Sequence, residues 1–181
     1  MIVIHPTDCT TTELKGLYAG QNDVVLLNEQ SSDKEICHAL YHSPASETIM
    51  ILGHGYDGGL FSRFDDKLPM FDRIIVGHKH AYYLRYHRVI GIWCFAYDYA
   101  VKENIHGLFS GMFISEIEEA EEWNVETTAD EIKREFVKFV ERLRLLLDEE
   151  TPWHEIPERL RQMDDVKSPL TLFNYSSIYY Y

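Results

Sequence analysis

Short apolar runs rich in Ile and Val recur at residues 2–4, 24–27, 49–52, 74–76 and 89–93, each beside a turn or helix signal. Runs of that length and composition predict buried β-strands. Between the second and third, Ser32 and Glu35 stand at capping-box spacing and Ile36, Ala39 and Leu40 follow at helical intervals. A helix is expected there, with Cys37 packed as a small hydrophobe. A longer helix is predicted from Thr128, with Glu131 three residues on and an apolar stripe of Ile132, Phe136, Phe139, Leu143 and Leu146. The stripe reads as core rather than as a cofactor-binding surface. FAYDYAVKEN (95–104) reads as another helix, HGLFSGMFIS (106–115) as another strand, and the tail TLFNYSSIYYY as a closing strand on its β propensity.

Near-continuous apolar strands alternating with helices predict an α/β fold. The expected form is a single domain over residues 1–181, a mostly parallel six-stranded sheet with helices on both faces. Ligands of such sheets bind outside the carboxyl ends of the strands. His54 and Cys94 each follow a strand directly, after ILG and VIGIW. If those strands are parallel neighbours, both side chains emerge at one rim.

Composition narrows the partners. The chain has 181 residues, 45% of them hydrophobic, enough for one sizeable core. A formal net charge of -13 argues against nucleic acid and anionic membranes, which attract clustered Lys and Arg. No stretch approaches the roughly 20 apolar residues of a membrane span, and MIVIHPTDC lacks the basic lead of a signal peptide. Cys9, Cys37 and Cys94 form no CxxC pair, which fits a reducing cytoplasm. The acidic run EIEEAEE (116–122) reads as a solvated face.

A nucleophilic cysteine needs a histidine or a helix N-terminus to favour its thiolate, and Cys94 has candidates for both in His54 and the helix that follows. Gly53 and Gly55 permit a sharp turn and close approach of a substrate, and Gly58-Gly59 in YDGGLFSRF suggests a hairpin bend. Taken singly, His54 would be an ordinary turn histidine and Cys94 a core thiol; their order along the chain with a glycine hairpin between favours a dyad.

ILGHG, YDGGLFS and VIGIWC, in that order over roughly residues 1–115, resemble the caspase-like cysteine peptidases of clan CD. The resemblance implies a caspase-like fold, with His54 as general base and acid and Cys94 as nucleophile. It implies an oxyanion hole from the N–H groups of Gly55 and Cys94. Neither metal nor organic cofactor is implied, and the partner is a peptide or protein substrate. The substrate pocket would fall near Asp8, Ile92, Ser115 and Glu116, two of them acidic, which suits Arg or Lys before the scissile bond. The residues flanking Cys94, Trp93 and Phe95-Ala96, depart from the Gln-Ala and Arg-Gly of caspases and the His-Ser-Gly of metacaspases.

Two other readings differ in class. A non-catalytic relative would use the same cleft to bind a partner, with Trp93 and Phe95 crowding the thiol. IIVGHKH (74–80) resembles the terminal GHxH of calcineurin-like metallophosphoesterases, although the DxH, GDxxD and GNH of that family are missing.

Overall fold

The computed structural model describes residues 1–6, 8–62, 70–71 and 73–181. Six strands form the main sheet: β1 (Ile2–Ile4), β2 (Val25–Leu27), β3 (Thr48–Leu52), β7 (Arg88–Ile92), β8 (Gly107–Ser110) and β9 (Ile178–Tyr180), in the order β2-β1-β3-β7-β8-β9. All neighbours are parallel except β8 and β9. The expected α/β class and mostly parallel six-stranded sheet are therefore present.

Period-two alternation sorts the strand residues between two cores. Ile4, Ile49, Ile51 and Val89 face α1 (Asp33–His42), α2 (His78–Leu84) and α3 (Ala96–Glu103) through Ile36, Leu40, Leu84 and Tyr99. Val3, Met50, Leu52, Ile90 and Ile92 point the other way. They meet the 3-10 helix Thr12–Leu17, α5 (Ala129–Asp148), α6 (Ile156–Met163) and α7 (Pro169–Ser176). The α5 stripe of Ile132, Phe136, Phe139, Leu143 and Leu146 is buried as predicted. Each such side chain contributes roughly 1.5–3 kcal/mol over exposure. The capping box at α1 forms: the Glu35 N–H donates to Ser32 Oγ at 3.3 Å and the Ser32 N–H to Glu35 Oε2 at 2.7 Å. Among the described residues, no helix is long and apolar enough to cross a membrane.

Three elements differ from the sequence reading. The run at 74–76 lies in β6 (Arg73–Gly77), which joins β4 (Gly55–Tyr56) and β5 (Gly59–Ser62) in a separate antiparallel sheet. Its hairpin bends at Asp57 and Gly58, with Gly59 already paired to Tyr56; Arg63 and Phe64 of the quoted motif lie outside the described residues. The strand expected over 106–115 stops at Ser110, whose hydroxyl turns back to the Trp93 backbone, accepting from its N–H at 3.0 Å and donating to its carbonyl at 2.7 Å. The tail begins as α7 and turns to strand only at Ile178, because Ser168 caps the helix, accepting from the Thr171 N–H at 3.4 Å, and Pro169 fits its first turn.

Candidate active site

Strands β3 and β7 are hydrogen-bonded parallel neighbours with Leu52 opposite Ile92, and the Gly53 N–H still donates to the Ile92 carbonyl at 3.1 Å. His54 and Cys94 thus stand two residues past the same rung of the ladder, at the carboxyl end of the sheet. Both line one cleft of about 440 Å³, with Gly55, Phe61, Phe71, Phe95, Met112, Trp123 and three glutamates, Glu116, Glu119 and Glu122. Its described lining contains no Lys or Arg.

Glycines shape the histidine side. Gly53 has φ +140°, a conformation that side chains resist. At Gly55, a Cβ would lie 2.3 Å from Trp93 Cδ1, so the missing side chain makes room for the indole. Trp93 is buried among the sheet-face residues, and its Nε1–H donates to the Tyr56 carbonyl at 3.1 Å. That bond ties the hairpin to the core.

Proton counting fixes the histidine. Thr10 Oγ1 lies 2.6 Å from both His54 Nε2 and Asp8 Oδ1, and the Thr10 N–H also donates to Asp8 Oδ1 at 2.9 Å. Burial would raise the Asp8 carboxyl, but hydrogen bonds with His54 and Thr10 outweigh it and hold the group well below the usual carboxylate range. An ionised Asp8 only accepts, so the single hydroxyl proton of Thr10 goes to Asp8, and Thr10 Oγ1 accepts from His54 Nε2–H. This chain leaves the lone pair of a neutral ring on Nδ1. Asp8, expected in the substrate pocket, has its carboxylate turned to this chain.

The cysteine side is built differently. Cys94 lies in the turn between β7 and α3, followed by Phe95 at φ +67°, a left-handed conformation that costs on the order of 1 kcal/mol for a residue with a Cβ. The Phe95 N–H donates to Gly111 O and the Ala96 N–H to Trp93 O, whereas the Cys94 N–H has no acceptor among the described residues. The Cys94 thiol donates to the Phe113 carbonyl at 3.4 Å and to Glu119 Oε1 at 3.7 Å. Burial, and next the Glu119 carboxylate, push the thiol up to about 12. The helix N-terminus that was expected to favour a thiolate is outweighed.

Glu119 was missed in the sequence, where EIEEAEE reads as a solvated face. It belongs to α4 (Ile117–Glu122), and its Oε2 accepts from the Ser115 N–H at 2.7 Å, the Ser115 hydroxyl at 3.1 Å and the Glu116 N–H at 3.1 Å. The spacing of Glu116 and Glu119 is that of a capping box, the one local signal that could have found it.

The remaining predicted pocket residues separate. Ile92 and Ser115 border a void of about 20 Å³ beneath His54 and Cys94, room for about one water. Glu116 lines the open cleft and also an adjoining groove of about 280 Å³ that contains Cys9 and Thr10. A larger cavity, about 610 Å³, opens at the amino ends of the strands, where Arg88 stacks 4.0 Å over Trp153; its described lining has neither histidine nor cysteine.

The histidines of GHKH diverge. Exposed His78 meets Glu103 at 2.7 Å, whereas buried His80 accepts the Gly77 N–H on Nδ1 at 3.1 Å and turns Nε2 to Asp33, 3.2 Å away. Asp33, Cys37 and His80 bring one donor atom each within 4.8 Å of one another. With Nδ1 an acceptor, a neutral His80 carries its proton on Nε2, and Lys79 pairs with the same Asp33 carboxylate. Both features oppose a cation there.

No protein-family model and no curated protein matches the chain. Fold and site together define an α/β protein whose parallel sheet carries a histidine and a cysteine to one acidic, aromatic-walled cleft.

Proposed function

We propose that the chain is a caspase-like cysteine endopeptidase of a reducing cytoplasm, cleaving peptide bonds through His54 and Cys94 beside a basic residue of its substrate. The observation that carries this reading is the shared rung: His54 and Cys94 follow Leu52 and Ile92 of adjacent parallel strands at the same offset and open onto one cleft. In the proposed reaction the S–H bond of Cys94 breaks as its proton passes to His54 Nδ1, and the sulfur bonds to the substrate carbonyl carbon. The carbonyl electron pair moves onto oxygen, facing the N–H groups of Cys94 and Gly55. Collapse expels the amine, which takes the proton from His54. Water then attacks the thioester with His54 as base, releasing the acid and restoring the thiol. The glutamates of the cleft, rather than the small void beside Ile92, supply the complement to Arg or Lys.

A second reading, a non-catalytic module that binds a basic peptide in the same cleft, is favoured by the raised Cys94 thiol. Peptides carrying a fluorogenic amide after Arg, Lys, Asp or Ala separate the two. Hydrolysis of the Arg and Lys peptides, lost by about 10³-fold or more in Cys94→Ala, supports the peptidase. Binding of the same peptides with no turnover sinks it and leaves the module.

A further inference from the structure

We propose that Glu119 is a specificity-determining residue that couples substrate charge to the nucleophile: a guanidinium or ammonium entering the cleft takes Glu119 Oε1 from Cys94 and frees the thiol to give up its proton. The proposal rests on Cys94 being the nucleophile of this cleft, and deepens that reading by naming what releases it.

The two oxygens of Glu119 are held very unequally. Oε2 accepts three hydrogen bonds from Ser115 and Glu116, which anchor the carboxylate to the start of α4. Among the described residues, Oε1 receives only the Cys94 thiol, a weak donor, at 3.7 Å. No Lys or Arg pairs with Glu119 among the described residues. A cationic N–H donor binds a carboxylate more strongly than a thiol, a weak donor, so a basic side chain at Oε1 displaces the thiol from it. The anchored Oε2 keeps the carboxylate in place during the exchange, so the ligand comes to Glu119 rather than drawing it away.

Displacement changes the thiol in two ways. It loses one of its two acceptors, keeping the Phe113 carbonyl, and the positive charge offsets the carboxylate that opposes a thiolate. The other titratable groups facing Cys94 across the cleft are His54 beyond β3, Glu116 before α4 and Glu122 on α4. Phe95 and Trp123, in the same lining, are rings on which a guanidinium can stack. A neutral substrate makes none of these exchanges and meets a resting thiol. Selectivity for basic residues would then appear in the rate of the chemical step as well as in binding.

Alkylation of Cys94 by iodoacetamide, followed by peptide mass mapping so that Cys9 and Cys37 are scored apart, tests this without requiring turnover. N-acetyl-arginine amide is expected to accelerate labelling of Cys94 by about three- to fourfold for each pH unit by which the thiol falls, the tenfold gain in thiolate being partly offset by its lower nucleophilicity, and N-acetyl-citrulline amide, its uncharged analogue, to leave it unchanged. Glu119→Gln, which retains an amide oxygen to cap α4, should label faster with no ligand and lose the response to arginine. Arginine amide that slows labelling or leaves it unchanged overturns the proposal, as does an equal response to citrulline amide. The wild-type ligand comparison stands even if the variant misfolds. Acceleration by arginine without peptide hydrolysis would uphold the coupling while removing the peptidase, so the two failures are distinct.

Discussion

One wall of the cleft holds its chemistry ready and the other holds it back. On the β3 side, Asp8 and Thr10 orient His54 and settle which nitrogen bears the proton, with contacts of 2.6 Å along the chain. On the α4 side, burial first and then the Glu119 carboxylate, at a long, weak contact, push the Cys94 thiol up. Both devices are a carboxylate acting on a neighbouring titratable group. Their difference lies in connection: Asp8 meets His54 Nε2 at 3.4 Å and also through the Thr10 hydroxyl, which fixes a donor and an acceptor, while Glu119 meets the thiol and opposes its ionisation. A carboxylate beside a histidine or a cysteine can thus orient the one and oppose ionisation of the other.

The largest expected effect attacks the support of the histidine side. His5, at the end of β1, is buried with Nδ1 3.0 Å from the Tyr18 hydroxyl; burial, and next the positive charge of Lys15, lower it from 6.5 to about 4. Below 6.5 the unfolded chain binds a proton that the folded ring refuses until about 4. The contribution of His5 to stability is therefore complete above 6.5 and falls away as the pH drops to about 4. At about 1.36 kcal/mol per pH unit the loss reaches about 3 kcal/mol. Denaturant melts from pH 7 to 4 should show this slope, and His5→Gln should flatten it; an unchanged slope would place the acid sensitivity elsewhere.

A smaller effect is expected where hairpin and core touch. Gly55→Ala places a Cβ against Trp93 and the Gly59 carbonyl, 2.3 and 2.5 Å away. Overpacking of that kind should cost about 2 kcal/mol, read as a lower melting temperature and a change in Trp93 fluorescence. Retention of both would mean that the hairpin moves freely, against its bond to the indole.

The smallest effect sharpens the contrast most. Thr10→Val keeps the shape but breaks the hydroxyl link between Asp8 and His54, leaving only their direct 3.4 Å contact. One hydrogen bond of about 1 kcal/mol corresponds to a fall of about fivefold in kcat, with KM little changed and restoration in Thr10→Ser. A loss confined to KM would make Thr10 a binding residue instead.

Much of the scaffold could be read from the chain because its causes are local. Alternating Ile and Val gave the strands, and the stripe from Ile132 to Leu146 gave the long helix. The juxtaposition of His54 and Cys94 followed once the two strands were taken as parallel neighbours. Local aromatic propensity misled at the tail, where the cap formed by Ser168 and Pro169 outweighs it until Ile178. Glycine doublets misplaced the hairpin bend by one residue. The partners of the two central side chains were illegible for a different reason. Thr10 reaches His54 across 44 positions and Glu119 reaches Cys94 across 25, separations that no periodic pattern encodes.

Glu119 fastens the first turn of α4 with one oxygen and touches the thiol with the other. Tuning the acidity of the Cys94 thiol by mutation at this position therefore also disturbs a helix start, and any lineage or designer seeking a more acidic thiol must first furnish the helix with a replacement clasp.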